Sequence, residues 1–260
     1  MSVREIGGRV RLEPMEGGAF WRVLLTGSRG NIIDTALCEG LEQVFREAAR
    51  TRDLKSIVLE GDGPHFSFGA SVDEHLPGAV GPMLRAFHKM FAGMLESGVV
   101  TLAVVRGRCL GGGLELASFC HRVFASPDAL MGQPEIVLGV FAPLASTFLR
   151  ERTGRGPAED LCLSGRTIGA PEALRVGLVD VVAEDPFQAA VAYAREHFLP
   201  RSAASLRHAV RAVRRDLEAR FASDIAIQER SYLDGLMRTR DAEEGLRAFL
   251  EKRAPRWTNA

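Results

Sequence analysis

Cysteine is scarce: four residues in 260, at positions 38, 109, 120 and 162, with no CxxC pair. A chain of this length buries enough apolar surface to fold without disulfide staples, so the expectation is a reduced, cytoplasmic protein. Cys109 and Cys120 lie among apolar neighbours and read as packing thiols rather than nucleophiles. Net charge is also missing, because 33 basic residues cancel 33 acidic ones. Nothing in that balance favours nucleic acid or an anionic membrane as a partner. The longest apolar run, Val99 to Val105, is far too short to cross a bilayer. The opening residues, MSVREIGGRV, contain no apolar core of a signal peptide. No His, Cys and Asp cluster has the spacing of metal ligands, so no metal site is expected.

Hydrophobic residues make up 46% and charged residues 25%, as in soluble globular domains. The N-terminal half alternates strand and helix signals. Residues 9–14 and 19–26 read as strands joined by a turn at Glu16-Gly17-Gly18. Asp34 is a good N-cap, and Leu37, Leu41, Val44, Phe45 and Ala48 recur at helical spacing after it. Strands are predicted at 54–61, 100–107, 121–126, 129–132 and 178–183, with a short one inside the loop at 61–71. Helices are predicted at 82–97 and from Gly112. After residue 145 the chain turns mostly helical, with segments at 145–153, 157–163, 171–175, 186–198, 202–218, 222–238 and 241–251. The fold class is therefore α/β, with a core over 1–195 and a helical region over 196–260. Arg207, Arg211, Arg214 and Arg215 read as a solvated helix face.

Three segments carry chemical signals. In RGRCLGGGLELASFC (106–120) a strand ends, three glycines turn the chain and a helix begins. The first N–H groups of a helix lack internal partners, and its dipole favours negative charge. Glu115 follows within the first turn, flanked by apolar Leu114, Leu116 and Ala117. A carboxyl among such neighbours has a raised pKa and suits proton transfer. In GPHFSFGAS (63–71) a short strand ends at Gly69 and Ala70, where a backbone N–H is open to a ligand. In MGQPEIVLG (131–139) Pro134 fits a first helical turn, which puts Glu135 near a helix start. Each segment alone also reads as an ordinary loop or turn. The glycine run is not a phosphate loop, because it lacks both GKS/GKT and the GxGxxG spacing.

Taken together, FSFGAS (66–71), GRCLGGGLELASFCHRVFAS (107–126) and GQPEIVLG (132–139) resemble the crotonase (enoyl-CoA hydratase/isomerase) superfamily. SRGNIIDTAL (28–37) and LSGRTIGAPEALRVGLVDVV (163–182) are similar to that family's early Asn-containing and later segments. The resemblance runs in order from about residue 5 to 250. It implies a crotonase fold of repeated ββα units, with C-terminal helices that assemble a homotrimer or a dimer of trimers. It also implies an acyl-CoA thioester substrate, with no cofactor beyond the coenzyme A that the substrate brings.

By position, Ala70 and Gly112 match the family's two oxyanion-hole residues, whose backbone N–H groups hold the thioester oxygen. Glu115 and Glu135 match its two catalytic glutamates, with Glu115 assigned to activating water and Glu135 mainly to delivering a proton. The expected substrate and CoA contacts are Arg29, Phe68, Gly69, Ser71, Gly111, Pro134 and Pro143. His65 and His75 flank the first loop and read as surface or structural residues, and Asp73 and Glu74 as the start of the helical segment after it.

Two departures stand out. Ser71 occupies a position where the family usually has an acid, and Ala142-Pro143-Leu144-Ala145-Ser146 replaces a glycine-rich stretch. Larger residues there reshape the acyl pocket. FSFGASVDEHLP (66–77) with VFAPLAS (140–146) is similar to the cyclohexa-1,5-dienecarbonyl-CoA hydratases of aromatic breakdown, in which water adds to a conjugated ring thioester. The resemblance thus implies a carbon–oxygen lyase. An enoyl-CoA isomerase and an acyl-CoA-binding homologue without turnover stand as alternatives.

Overall fold

A computed structural model describes residues 2–260. Its central sheet has seven strands: β1 (Arg4–Ile6), β2 (Val10–Met15), β3 (Phe20–Leu25), β4 (Ser56–Gly61), β5 (Val100–Val105), β7 (Arg122–Ala125) and β10 (Val181–Val182), side by side in that order. The first three are antiparallel, and parallel pairing runs from β3 onward. A second sheet of three strands holds β6 (Arg108–Leu110), β8 (Leu130–Gly132) and β9 (Thr167–Gly169). The parallel strands β4 and β5 are buried along their whole length, which fits their apolar stretches Ile57–Leu59 and Leu102–Val105.

The helices follow the expected periodicity. Helix α1 (Thr35–Arg50) is capped by Asp34, whose side chain accepts from Leu37 N–H, and it buries Leu37, Leu41, Val44, Phe45 and Ala48. Helix α2 (Val80–Ser97) packs on α1 and ends at Gly98 in the left-handed conformation. Helix α3 (Gly112–Phe119) is buried along its whole length. Then come α4 (Ala145–Thr153), α5 (Arg155–Ser164), α6 (Ala170–Arg175), α7 (Pro186–His197), α8 (Ala203–Arg230) and α9 (Arg240–Leu250). The main core runs from Ile6 through Phe119 to Phe221, Ile225, Tyr232 and Leu246, so the C-terminal helices pack into the same interior as the sheet. Among the described residues, no helix is long and apolar enough to cross a membrane.

Several expectations are corrected. The two helices predicted at 202–218 and 222–238 are one helix of 28 residues followed by a π-helical turn at Ser231–Gly235. Asp216, Ala219 and Ser223 interrupt the apolar periodicity, but no Gly or Pro breaks the chain there. The solvated arginine face is half wrong. Arg211 and Arg215 are exposed. Arg207 donates to the carbonyls of Ala48, Thr51 and Ser97, and Arg214 donates to Phe119 O while stacking over its ring. Helix C-termini present unpaired carbonyls, and a guanidinium fork satisfies several at once. The predicted strand at 66–68 reduces to a single bridge, Ser67 to Cys109, and that at 178–183 to two residues. β5 does not run into the glycine turn. It ends at Val105, and the separate strand β6 leads into α3 from the other sheet.

Candidate active site

Two glycine-containing turns meet at the site. The first is the loop 66–71, held from both sides. Asn31 adopts a positive φ and is buried, and its Nδ2 donates to the carbonyls of Asp62, His65 and Phe66. Ser67 Oγ donates to Asn31 O and accepts from Gly69 N–H. Ile33 N–H donates to Gly69 O, and Ser71 N–H donates to Ile33 O. This ladder passes over Ala70 and leaves its N–H outside.

The second turn is Leu110-Gly111-Gly112. Gly111 has φ +50°, a conformation side-chain-bearing residues rarely adopt, and its N–H donates to Gly132 O at 2.9 Å. Gly112 starts α3, so its N–H has no helical partner. The two turns touch. A Cβ added at Gly69 would stand 2.9 Å from Leu110 O, and one at Gly112 would stand 3.3 Å from Ala70 N. The backbone N of Ala70 therefore lies close to Gly112, at the start of α3.

Glu135 lies against the Gly111 turn, and Glu115 follows within the first turn of α3. Glu115 is 3% exposed. Its Oε1 accepts from Ala145 N–H at 2.6 Å, at the first turn of α4. Glu135 lies in a one-turn 3₁₀ segment, Pro134–Leu138, with Pro134 in its first turn. The stem of Glu135 is partly exposed, but its Oε2 is buried without a hydrogen-bond partner. A Cβ on Gly111 would collide with Glu135 Oε1, so the carboxyl lies directly against the glycine turn.

Both carboxyls are pushed well above the ordinary carboxylate range. For Glu115 the main cause is desolvation and the second is the charge of Glu135, opposed by backbone N–H groups of Ala145 and Leu144. For Glu135 the main cause is again desolvation. Burial of both carboxyls, with the charge of Glu135 bearing on Glu115, favours their protonated forms.

A cavity of about 470 Å³ opens from Glu135. Its lining includes Phe68, Gly69, Ala70, Gly111 and Pro134, all singled out in the sequence, together with His75 and Arg108. Val72, Leu138, Val140, Leu246 and Phe249 add apolar wall. Ser71 is partly buried one residue beyond the loop, and Pro143 is buried in the turn before α4; neither lines the cavity. Arg29 is exposed and also lies outside the lining, next to Gly30, which packs against the Phe68 ring.

The remaining polar residues sort by contact. His65 accepts from Arg108 N–H and packs on Phe68, so it braces the loop. Glu74 turns away and accepts from the N–H and hydroxyl of Thr35 at the start of α1. His75 Nδ1 is 2.7 Å from Ser71 O, so that nitrogen carries the proton, and burial holds the ring pKa down. Among the described residues, no group of three or more His, Cys, Asp or Glu side chains is placed to hold a metal ion.

Sequence reading missed Arg108, the wall from α9 and the Ala145 contact. Arg108 alternates with inward-facing neighbours on β6, a strand with no signal separate from β5. Leu246 and Phe249 lie more than a hundred residues from the loops they face, and no local pattern links them. The Ala142–Ser146 departure touches the site through backbone, because Ala145 N–H holds Glu115.

Residues 24–260 match the family model for enoyl-CoA hydratase/isomerase. The chain is 48% identical to a cyclohexa-1,5-dienecarbonyl-CoA hydratase of Thauera aromatica, over 93% of this chain and 94% of that one. It is 36% identical to a probable enoyl-CoA hydratase of Mycobacterium bovis, over 88% and 90% of the two chains. Among solved structures, an enoyl-CoA hydratase of Bacillus halodurans superposes with a TM-score of 0.85 at 19% identity, covering 92% of this chain and 99% of that one. One of Mycobacterium avium subsp. paratuberculosis gives 0.83 at 23% identity, covering 96% and 98%. The fold is thus the crotonase fold, and with the family match and the sequence identity over nearly the whole length, the chain belongs to the enoyl-CoA hydratase/isomerase family.

Proposed function

We propose that this chain hydrates an α,β-unsaturated acyl-CoA thioester whose acyl group is a conjugated ring of the cyclohexa-1,5-dienecarbonyl type. The observation that carries the reading is the buried Glu115–Glu135 pair with raised pKa, set against the adjoining Ala70 and Gly112 turns. The 48% identity to a hydratase of that substrate supports the acyl group.

In this reading, Ala70 N–H and Gly112 N–H hold the thioester oxygen as it gains charge. Losing one such donor typically costs about 2.7–4 kcal/mol of transition-state stabilisation. Glu115, whose charged form the Ala145 N–H favours, accepts a proton from water. The hydroxyl bonds to an electron-poor ring carbon, the π electrons move to the thioester oxygen, and Glu135 returns a proton to carbon. The proton gained by Glu115 then passes to Glu135, which restores the starting state, so that H and OH have been added with no proton or electron left over. The apolar wall of Val72, Leu138, Val140, Leu246 and Phe249 suits a hydrocarbon ring and excludes bulk water. Phe68, Gly69, Gly111 and Pro134 contact the thioester end, while Arg29, Ser71 and Pro143 act from just outside the cavity. The helices after residue 195 bring subunits together as a trimer or a dimer of trimers.

The test is ultraviolet absorbance with crotonyl-, cyclohexenecarbonyl- and cyclohexadienecarbonyl-CoA. The ring diene is expected to be consumed fastest. Glu115→Gln and Glu135→Gln should each lower turnover by orders of magnitude while CoA-ester binding survives. Near-wild-type turnover in either variant would refute its role.

A further inference from the structure

The two carboxyls differ in what aims them. Glu115 Oε1 accepts from Ala145 N–H at 2.6 Å, whereas Glu135 Oε2 is buried without a hydrogen-bond partner. The aim of Glu135 therefore depends on the turn that carries it. That turn is Pro134–Leu138, closed at Gly139 in the left-handed conformation. Gly139 N–H donates to Ile136 O and Val140 N–H to Glu135 O, each at 3.1 Å. So short a 3₁₀ segment has few bonds of its own, and what packs against it decides how firmly it is held.

The segment after α9 packs against it. A Cβ added at Gly139 would stand 3.0 Å from Trp257 Cζ3, and one added at Gly245, on α9, would stand 2.8 Å from Trp257 Cη2. One edge of the indole is thus wedged between two stretches of bare backbone. Gly245 is helical with an ordinary φ, so close approach, not conformation, is what its missing side chain permits. The indole is tied in place. Thr258 N–H and Oγ1 donate to Asp241 Oδ1 at 2.7 and 2.9 Å, and Asn259 N–H donates to Asp241 Oδ2 at 2.7 Å. Arg240 N–H donates to Ala260 O at 2.8 Å. Arg240 and Asp241 open α9, so the segment is strapped across the first turn of that helix. Trp257 stays 43% exposed, so hiding the indole from water does not account for the arrangement.

We infer that Trp257 is a positioning residue for Glu135. By filling the gap between Gly139 and α9 it fixes the turn that aims the carboxyl into the cavity. The inference rests on the hydration reading for what Glu135 does, and on packing alone for how Glu135 is held.

The experiment is steady-state hydration of cyclohexa-1,5-dienecarbonyl-CoA by the full chain, by Trp257→Ala and by Trp257→Phe. Amide hydrogen exchange read by mass spectrometry and thermal melts are run on the same preparations. In Trp257→Ala the amides of Gly139 and Val140 should exchange about tenfold faster, with those of α1 unchanged. Its kcat should fall by about tenfold or more while KM stays within about twofold, as a misplaced proton donor predicts. Trp257→Phe leaves a shorter ring in the gap and should fall between the two, and it carries the test if the Ala variant does not fold. Unchanged exchange at Gly139 and Val140 would overturn the inference. Faster exchange with unchanged kcat would also overturn it, as would a loss confined to KM, which a general loosening of the pocket produces. Wild type that leaves the thioester unhydrated would overturn the hydration reading, and the exchange rates alone would then uphold or overturn the hold of Trp257 on the turn.

Discussion

Glu115 and Glu135 are costly residues, and their cost has a pH dependence. In the unfolded chain both titrate near the ordinary carboxylate value of 4.5. In the fold both are raised, chiefly by burial, so above that value the folded state holds more protons than the unfolded one. Their contribution to stability is therefore complete at acid pH and is lost as pH rises through the folded values. Glu115→Gln removes one ionisable group and the repulsion it feels, while its amide oxygen can still accept from Ala145 N–H. Thermal melts should show the variant gaining on wild type as pH rises from about 5 to 9. Parallel curves would mean that the pair is not buried as described. Both carboxyls are held dry at the expense of stability.

At the scale of elements, short turns place the chemistry and long helices brace it. β6 delivers Gly111 and Gly112, and the 66–71 loop delivers Ala70. Asn31 and Ser67 fix that loop through main-chain carbonyls and N–H groups. On the far side, Arg207 of α8 closes the C-terminal ends of α1 and α2 by donating to Ala48, Thr51 and Ser97. Arg207→Met keeps much of the stem packing but removes a donor from three carbonyls, of which Ala48 O and Thr51 O keep backbone donors. We expect a loss of about 1–3 kcal/mol of stability with kcat little changed. Urea titration and steady-state kinetics on the same preparation check both halves. A large fall in kcat with unaltered stability would contradict the bracing role.

For the whole molecule, one interior links the sheet to the C-terminal helices. Phe221, Ile225, Tyr232 and Leu246 pack in the same core as Ile6 and Phe119. A fragment ending at residue 195 should lack fixed tertiary packing, with weak near-ultraviolet dichroism. A native-like spectrum would show that the first 195 residues stand alone.

Much of this architecture was legible because its signals are local. Asp34 capped α1 where expected, the apolar runs of β4 and β5 marked buried strands, and the glycine run marked the start of α3. Glu115, Glu135, Ala70 and Gly112 could be picked out by motif; of these, Gly112 lies against Ala70 N, and Glu135 lies against Gly111. What stayed hidden depends on distant partners. Arg207 looks solvated until α1 and α2 end beneath it. β9 has three residues and pairs only through β8. Arg108 faces the cavity because of which sheet β6 joins.

The central claim is that water is added to a ring thioester at this carboxyl pair. The most direct measurement is mass spectrometry of cyclohexa-1,5-dienecarbonyl-CoA after incubation with the chain in heavy-oxygen water. Incorporation of one labelled oxygen into the acyl group, abolished in Glu115→Gln, is the predicted result. Recovery of an unlabelled acyl group, whether unchanged or isomerised, would contradict it.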